Sequence, residues 1–189
     1  MIRTFFLFNF LSAVKWRGIL KKRMKMKNVE IRYQPIGTIH SPFTTIEGMP
    51  IQPGGAAGIC GSVEIFPEFV AALQDLGGFS HIYLLYHFHQ SKKWKALVAP
   101  FMDDVEHGLF STRAPNRPNP IGLSIVRLIQ IEGNIISIEN VDILDGTPLL
   151  DLKPYVPDFD HFRVTSIGWL KKPAAGVANV RSDSRFTEN

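Results

Sequence analysis

Ile121–Leu144, "IGLSIVRLIQIEGNIISIENVDIL", is the stretch on which the fold turns. Isoleucine, valine and leucine dominate it, residue types that suit a pleated, half-buried surface. Glu132-Gly133-Asn134 interrupts the run, so the segment reads as two strands joined in a hairpin. Working outward, "SHIYLLYHFHQ" (Ser80–Gln90) is apolar on both faces, the pattern of a buried central strand. "GSVEIF" (Gly61–Phe66) alternates, and "VEIRYQPIGTIHSPF" (Val29–Phe43) reads as a bent or edge strand broken by Pro35 and Gly37. "GLFSTR" (Gly108–Arg113) and "RVTSIGWL" (Arg163–Leu170) add two further strands. One segment reads as helix: "PEFVAALQDL" (Pro67–Leu76) starts on proline and carries Phe69, Val70, Leu73 and Leu76 at helical spacing. Many short strands, little helix and no βαβ rhythm predict a mainly β fold, a compact antiparallel β-barrel or sandwich with one or two short helices.

Composition bounds what such a fold can be. The chain has 189 residues, 45% hydrophobic and 20% charged, the balance of a globular protein long enough for one domain with a substantial core. Its lone cysteine, Cys60, excludes an internal disulfide framework and points to a reducing compartment, the cytoplasm. The net charge of +4 is unevenly spread. Seven basic residues and no acid precede Met26, leaving fourteen basic against seventeen acidic from there on. The body is therefore mildly acidic and meets RNA only through a local basic patch. Residues 1–25 hold one short apolar run, Phe5–Leu11, against the roughly 20 residues a membrane span needs. No small-x-small site closes that run as a signal peptide, and no membrane partner is expected. The stretch reads as an extension ahead of the fold, with a basic RNA- or membrane-contacting arm as its other use. The domain itself is expected at 26–172, and 173–189, which loses the apolar pattern, is expected to be a mobile tail.

Chemistry concentrates in a few places. "RAPNRPNPIGLS" (Arg113–Ser124) fixes φ at Pro115, Pro118 and Pro120 and biases the preceding residues to extended geometry, which lowers the entropy lost when the loop holds a ligand. Its arginines offer planar donor forks for carboxylate or phosphate, and its asparagines offer donors and an acceptor. A stiff connection with solvated arginines explains the same residues. "DILDGTPLLDLKPY" (Asp142–Tyr155) reads as a second proline-fixed loop. Turn chemistry alone accounts for Asp145-Gly146, while the carboxylate, hydroxyl and aromatic groups there suit a pocket shared with the first loop. His87 and His89 fall on one strand face, but no third ligand stands near them and no metal site is expected. "GMPIQPGGAAG" (Gly48–Gly58) is glycine-rich without the spacing of a Rossmann or P-loop phosphate cradle.

Taken in order, "IGTIHSPF", "QPGG", "FSHIYLLYHFHQ", "FSTRAPNRPNPIGLS" and "DILDGTPLLDLKPY" closely resemble the TsaA-like (TrmO-like) family from about Ile31 to about Leu170. The resemblance implies a β-barrel that binds S-adenosyl-L-methionine without a Rossmann fold, and a homodimer with the cofactor near the subunit interface. It implies methylation of tRNA in the anticodon loop, at N6 of N6-threonylcarbamoyladenosine 37. Carried onto matching positions, it implies cofactor contacts from Gln52, Pro53, Gly54, His89, Gln90, Arg113, Leu123, Asp145, Gly146, Thr147 and Pro148. The chemistry agrees, since Arg113 suits the cofactor's carboxylate, Leu123 an adenine, and nearby acceptors or aromatic faces its cation. Bacterial members of the family carry an extra C-terminal region, and this chain resembles the shorter form.

For RNA, Lys92, Lys93, Lys95 and Arg117 make the best local patch, with a solvated face as its plain counterpart. By analogy with adenine methyltransferases of other folds, Asn116 or Asn119 together with Tyr155 are the candidates for gripping the amine and stacking on the base. Two other functions stay open at this level: methylation of a small molecule or another nucleobase in the same pocket, and a non-catalytic S-adenosylmethionine-binding module.

Overall fold

The computed structural model describes residues 30–171, 176 and 178–187, so the expected extension at 1–25 lies outside the described residues. The chain divides into Met1–Tyr33 and Gln34–Asn189. In the first, Arg32 and Glu30 form an ion pair at 3.1 Å; everything below concerns the second. Its strands are β1 (Gly37–His40), β2 (Cys60–Ile65), β3 (His81–His87), β4 (Leu97–Val98), β5 (His107–Gly108), β6 (Ile121–Glu132), β7 (Ile135–Glu139) and β8 (Thr147–Pro154).

The predicted hairpin is β6–β7. Gly133 and Asn134 alone separate the strands, and Gly133 takes φ +60°, the left-handed value that a primed two-residue turn requires and that a Cβ would oppose. From this hairpin the sheet closes in the order β1-β2-β7-β6-β3-β8, with β8 returning to β1 and every pair antiparallel. Closure leaves no free edge, so β1 is paired on both sides rather than lying at an edge. Alternation then fills the barrel: Ile82, Leu84 and Tyr86 of β3 and Ser124, Val126 and Leu128 of β6 are buried, and they join Ile39, Val63, Ile136, Ile138 and Leu149 inside.

Four segments depart from the sequence reading. Pro67–Leu73 and Leu76–Gly78 are two 3₁₀ turns instead of one α-helix; Asp75 in the left-handed region separates them, and Leu73 and Leu76 are buried against the barrel core. "GLFSTR" is strand only at its first residue, Gly108, after which Leu109–Ser111 forms a 3₁₀ turn. "DILDGTPLLDLKPY" is not a loop throughout, because from Thr147 onward it is β8, with Pro148 opposite Thr38 and Leu149 buried. That strand closes the barrel, so "RVTSIGWL" finds no edge to join: Val164 and Ile167 stay exposed and Gly168–Lys171 is a 3₁₀ turn.

The expected mobile tail also behaves differently over residues 178–187. Pro50 and Arg181 form a β-bridge, the Ser182 hydroxyl accepts from Met49 N at 3.0 Å, and Phe186 is buried edge-on to Phe101 at 5.0 Å between ring centroids. One aromatic anchor and a few backbone bonds suffice where no periodic pattern shows. Val98, Leu109, Ala114 and Phe186 make a second small core beside the barrel.

Candidate active site

β3 ends where the antiparallel β6 and β8 begin, so His87, Ile121 and Thr147 mark one end of the barrel. The loops leaving that end, together with 46–52 and the tail, enclose a cavity of about 370 Å³, a size that suits a nucleoside-like ligand. Gln52, His89, Gln90, Arg113, Leu123 and Thr147, six of the implied cofactor residues, line it. Arg113 Nη1 donates to Gln52 Oε1 at 2.6 Å, which fixes the guanidinium at the mouth. Leu123 stands at the mouth as well, more than half exposed.

The other five do not line the cavity. Pro53 and Gly54 make the 3₁₀ turn that follows Gln52, closed by a 2.9 Å bond from Gly55 N to Gln52 O. Asp145 accepts from Ser41 N at 3.1 Å and faces His40 Nδ1 at 3.3 Å, tying the 40–43 loop to the turn before β8. Gly146, at φ +72°, turns the chain into β8, and Pro148 follows within the strand.

The floor carries a group that the sequence reading passed over. Asp142 opens onto the cavity, and its oxygen accepts a 2.7 Å bond from Ser124 Oγ, which lies 3.1 Å from Tyr86 Oη. Surrounding protein strips water from the carboxylate and pushes its pKa up to about 6, although Ser124 and Arg113 favour the charged form. Tyr86 is pushed upward too, chiefly by burial and then by Asp142, and stays a neutral phenol. The available signal was a carboxylate embedded in an apolar run, Val141 to Leu144. Tyr86, Phe88, Phe101 and Phe186 add aromatic walls, and for Phe186 the tail's composition gave no signal.

His89 is held at its Nδ1. The Thr147 hydroxyl donates its single proton to Leu144 O at 2.7 Å, so toward His89 Nδ1, at 3.3 Å, its oxygen acts as acceptor. The ring proton therefore sits on Nδ1 and leaves Nε2 as a bare acceptor. Burial first and His87 second lower the His89 pKa, which keeps the ring neutral at pH 7.

The sequence-derived catalytic candidates fare differently. Asn116 touches the cavity with its amide already engaged in the protein: Oδ1 accepts from Lys92 N at 3.0 Å, and Nδ2 donates one of its two N–H groups to Phe186 O at 3.2 Å. Asn119 is exposed and does not line the cavity. Tyr155 packs on Tyr83 at 5.6 Å beside His81, at the start of β3, the far end of the barrel from His89. Within one chain it cannot reach the site. Arg117, expected to face RNA, turns inward; its Nη1 donates to Thr112 O at 3.1 Å and Ala114 O at 3.4 Å, stapling the proline loop. Among the described residues no group of His, Cys, Asp and Glu converges as a metal site, and no helix is long and apolar enough to cross a membrane.

A family model, the tRNA-methyltransferase O N-terminal domain, matches residues 38–161, from β1 to just beyond β8. The chain belongs to this family. Among the curated relatives, a probable S-adenosyl-L-methionine-binding protein of Pyrococcus abyssi is 55% identical over 156 residues, covering 82% of this chain and 85% of that protein. The mouse tRNA (adenine(37)-N6)-methyltransferase is 39% identical over 134 residues, 67% of this chain but only 31% of the enzyme. A solved structure of TrmO from Pseudomonas aeruginosa superposes with a TM-score of 0.63 at 38% identity, covering 75% of this chain and 63% of that one. The match thus spans less than two thirds of the length of the mouse enzyme and of the Pseudomonas TrmO.

Proposed function

We propose that this protein is an S-adenosyl-L-methionine-dependent methyltransferase that acts on N6 of N6-threonylcarbamoyladenosine at position 37 of tRNA, as a cytoplasmic homodimer. S-adenosyl-L-methionine is the cofactor, the ligand named for the archaeal relatives, and the tRNA activity is the one named for the mammalian relatives. The observation that carries the reading is the cavity, where an arginine fork, a carboxylate, a neutral imidazole and aromatic walls converge on a space of nucleoside size. That donor set fits the cofactor part by part: Arg113 for its carboxylate, Leu123 for its adenine, and Asp142 with the Tyr86 and Phe88 rings for its cationic end.

When bound, the cofactor supplies an electrophilic methyl group on a sulfonium. The protein's share is placement and proton handling. N6 of the target is a poor nucleophile, because the purine ring and the carbamoyl group both withdraw its lone pair. A neutral acceptor on its single N–H restores that density, and His89 Nε2 is the acceptor at hand. The proline loop, stapled by Arg117, keeps Arg113 in place without ordering on binding. Mass analysis of tRNA nucleosides from cells lacking the protein tests the assignment: the N6-methylated form of N6-threonylcarbamoyladenosine disappears, and its persistence refutes the substrate.

A further inference from the structure

A second cleft, of about 830 Å³, opens beside the cofactor cavity and shares Ser91, Asn116 and Phe186 with it as a common wall. Lys92, Lys93, Trp94 and Lys95 line it. Among the described residues none of the three ammonium groups has an ion-pair partner, and Glu106 is the sole carboxylate on the cleft's lining. Three uncompensated cations are notable on a body whose net charge is negative. Between them Trp94, a large apolar ring, is 54% exposed. Isolated lysines on a solvated face need no aromatic neighbour, whereas phosphates spaced along bases do. The segment is also fixed relative to the cavity, since Lys92 N donates to Asn116 Oδ1 at 3.0 Å and the Ser91 hydroxyl lies within 3.0 Å of Pro115 O.

We propose that this cleft seats single-stranded RNA, with Trp94 stacked on a base flanking the target nucleotide and Lys92, Lys93 and Lys95 holding the adjoining phosphates. The proposal rests on the tRNA reading for the identity of the RNA, but not for the chemistry of the cleft. Arg185 is structural within it. Its side chain donates to Pro100 O at 2.7 Å, pairs with Asp183 at 2.8 Å and lies over the Phe101 ring.

The test measures binding of a fluorescently labelled anticodon stem-loop RNA to the full chain across a salt series, with cofactor affinity measured in parallel. Trp94→Ala is expected to raise the RNA Kd about 10-fold, the scale of one lost base–aromatic stack, and Trp94→Phe to stay within about 3-fold of wild type. Lys92→Gln/Lys93→Gln/Lys95→Gln is expected to flatten the slope of log Kd against log salt by about 2. All three variants keep wild-type cofactor affinity, since none of the altered residues lines the cofactor cavity. An unchanged RNA Kd in Trp94→Ala overturns the proposal. So does an equal loss of affinity for heparin, which has no bases to stack. If Trp94→Ala loses RNA binding while the wild type transfers no methyl group, the cleft stands and the functional reading falls. If transfer proceeds but Trp94→Ala binds RNA normally, the reverse holds.

Discussion

Arg113 Nη1 and Gln52 Oε1 meet at 2.6 Å across 61 residues of sequence. The bond orients the guanidinium and leaves its remaining donors free for a bound carboxylate. Arg113→Ala is expected to weaken S-adenosyl-L-methionine binding by roughly 10- to 100-fold, the scale of a lost charged hydrogen bond. Gln52→Ala should cost about 3-fold, and the double variant little more than Arg113→Ala alone, because Gln52 acts through Arg113. Titration calorimetry on the four proteins reads all three effects.

Asp142 gives the site a pH signature. Burial raises its pKa from an ordinary value near 4 to about 6, so folding favours the protonated form. Its contribution to stability is complete below the unfolded value and is lost as pH rises toward and through 6, a swing on the order of 3 kcal/mol. Urea unfolding between pH 4 and 8 should show this decline in the wild type and its absence in Asp142→Asn. A cationic ligand favours the ionised carboxylate, so cofactor affinity should rise from pH 5 to pH 7 in the wild type and stay flatter in Asp142→Asn.

Gly122 sits directly under the Tyr86 ring, and a Cβ built there overlaps the ring carbons. The ring has little room to retreat, being buried, edge-on to Phe88 at 5.3 Å and held at its hydroxyl by Ser124. Gly122→Ala should therefore destabilise the fold by about 1–3 kcal/mol and lower cofactor affinity by pushing Tyr86 into the cavity. Thermal unfolding with and without cofactor separates the two effects.

The tail makes its own prediction. Phe186 is buried on Phe101 and both line the cavity. Phe186→Ala should cost about 3 kcal/mol of stability, at the low end for a buried aromatic because the second core is small. It should also raise the cofactor Kd, whereas Thr187→Ala, which removes only a hydroxyl bonded to Ser184 O at 2.8 Å and leaves the Phe186 ring in place, should leave that Kd within about 2-fold of wild type. Chemical denaturation and calorimetry test the pair.

What could be read from sequence follows from which physics was local. The β6–β7 hairpin was legible because burial on a sheet face writes itself into spacing, and Gly133 marks the turn outright, whereas β3, apolar on both faces in sequence, fully buries only the face of Ile82, Leu84 and Tyr86. β8 was misread because Pro148 and Pro154 are loop signals unless the proline imide lies where the ladder needs no donor, which only the closed barrel decides. Gln52, His89, Arg113 and Thr147 were placed by motif resemblance, and the fold does bring them to one cavity. Asp142 was missed since its importance comes from desolvation, a property of its surroundings. Phe186 was missed because one anchoring ring leaves no pattern.

The most direct measurement incubates the protein with methyl-labelled S-adenosyl-L-methionine and an anticodon stem-loop containing N6-threonylcarbamoyladenosine, then resolves the nucleosides. Label on N6 of that nucleoside, greatly reduced in His89→Ala and Arg113→Ala, is the predicted result. Tight cofactor binding with no label in any RNA nucleoside contradicts the account.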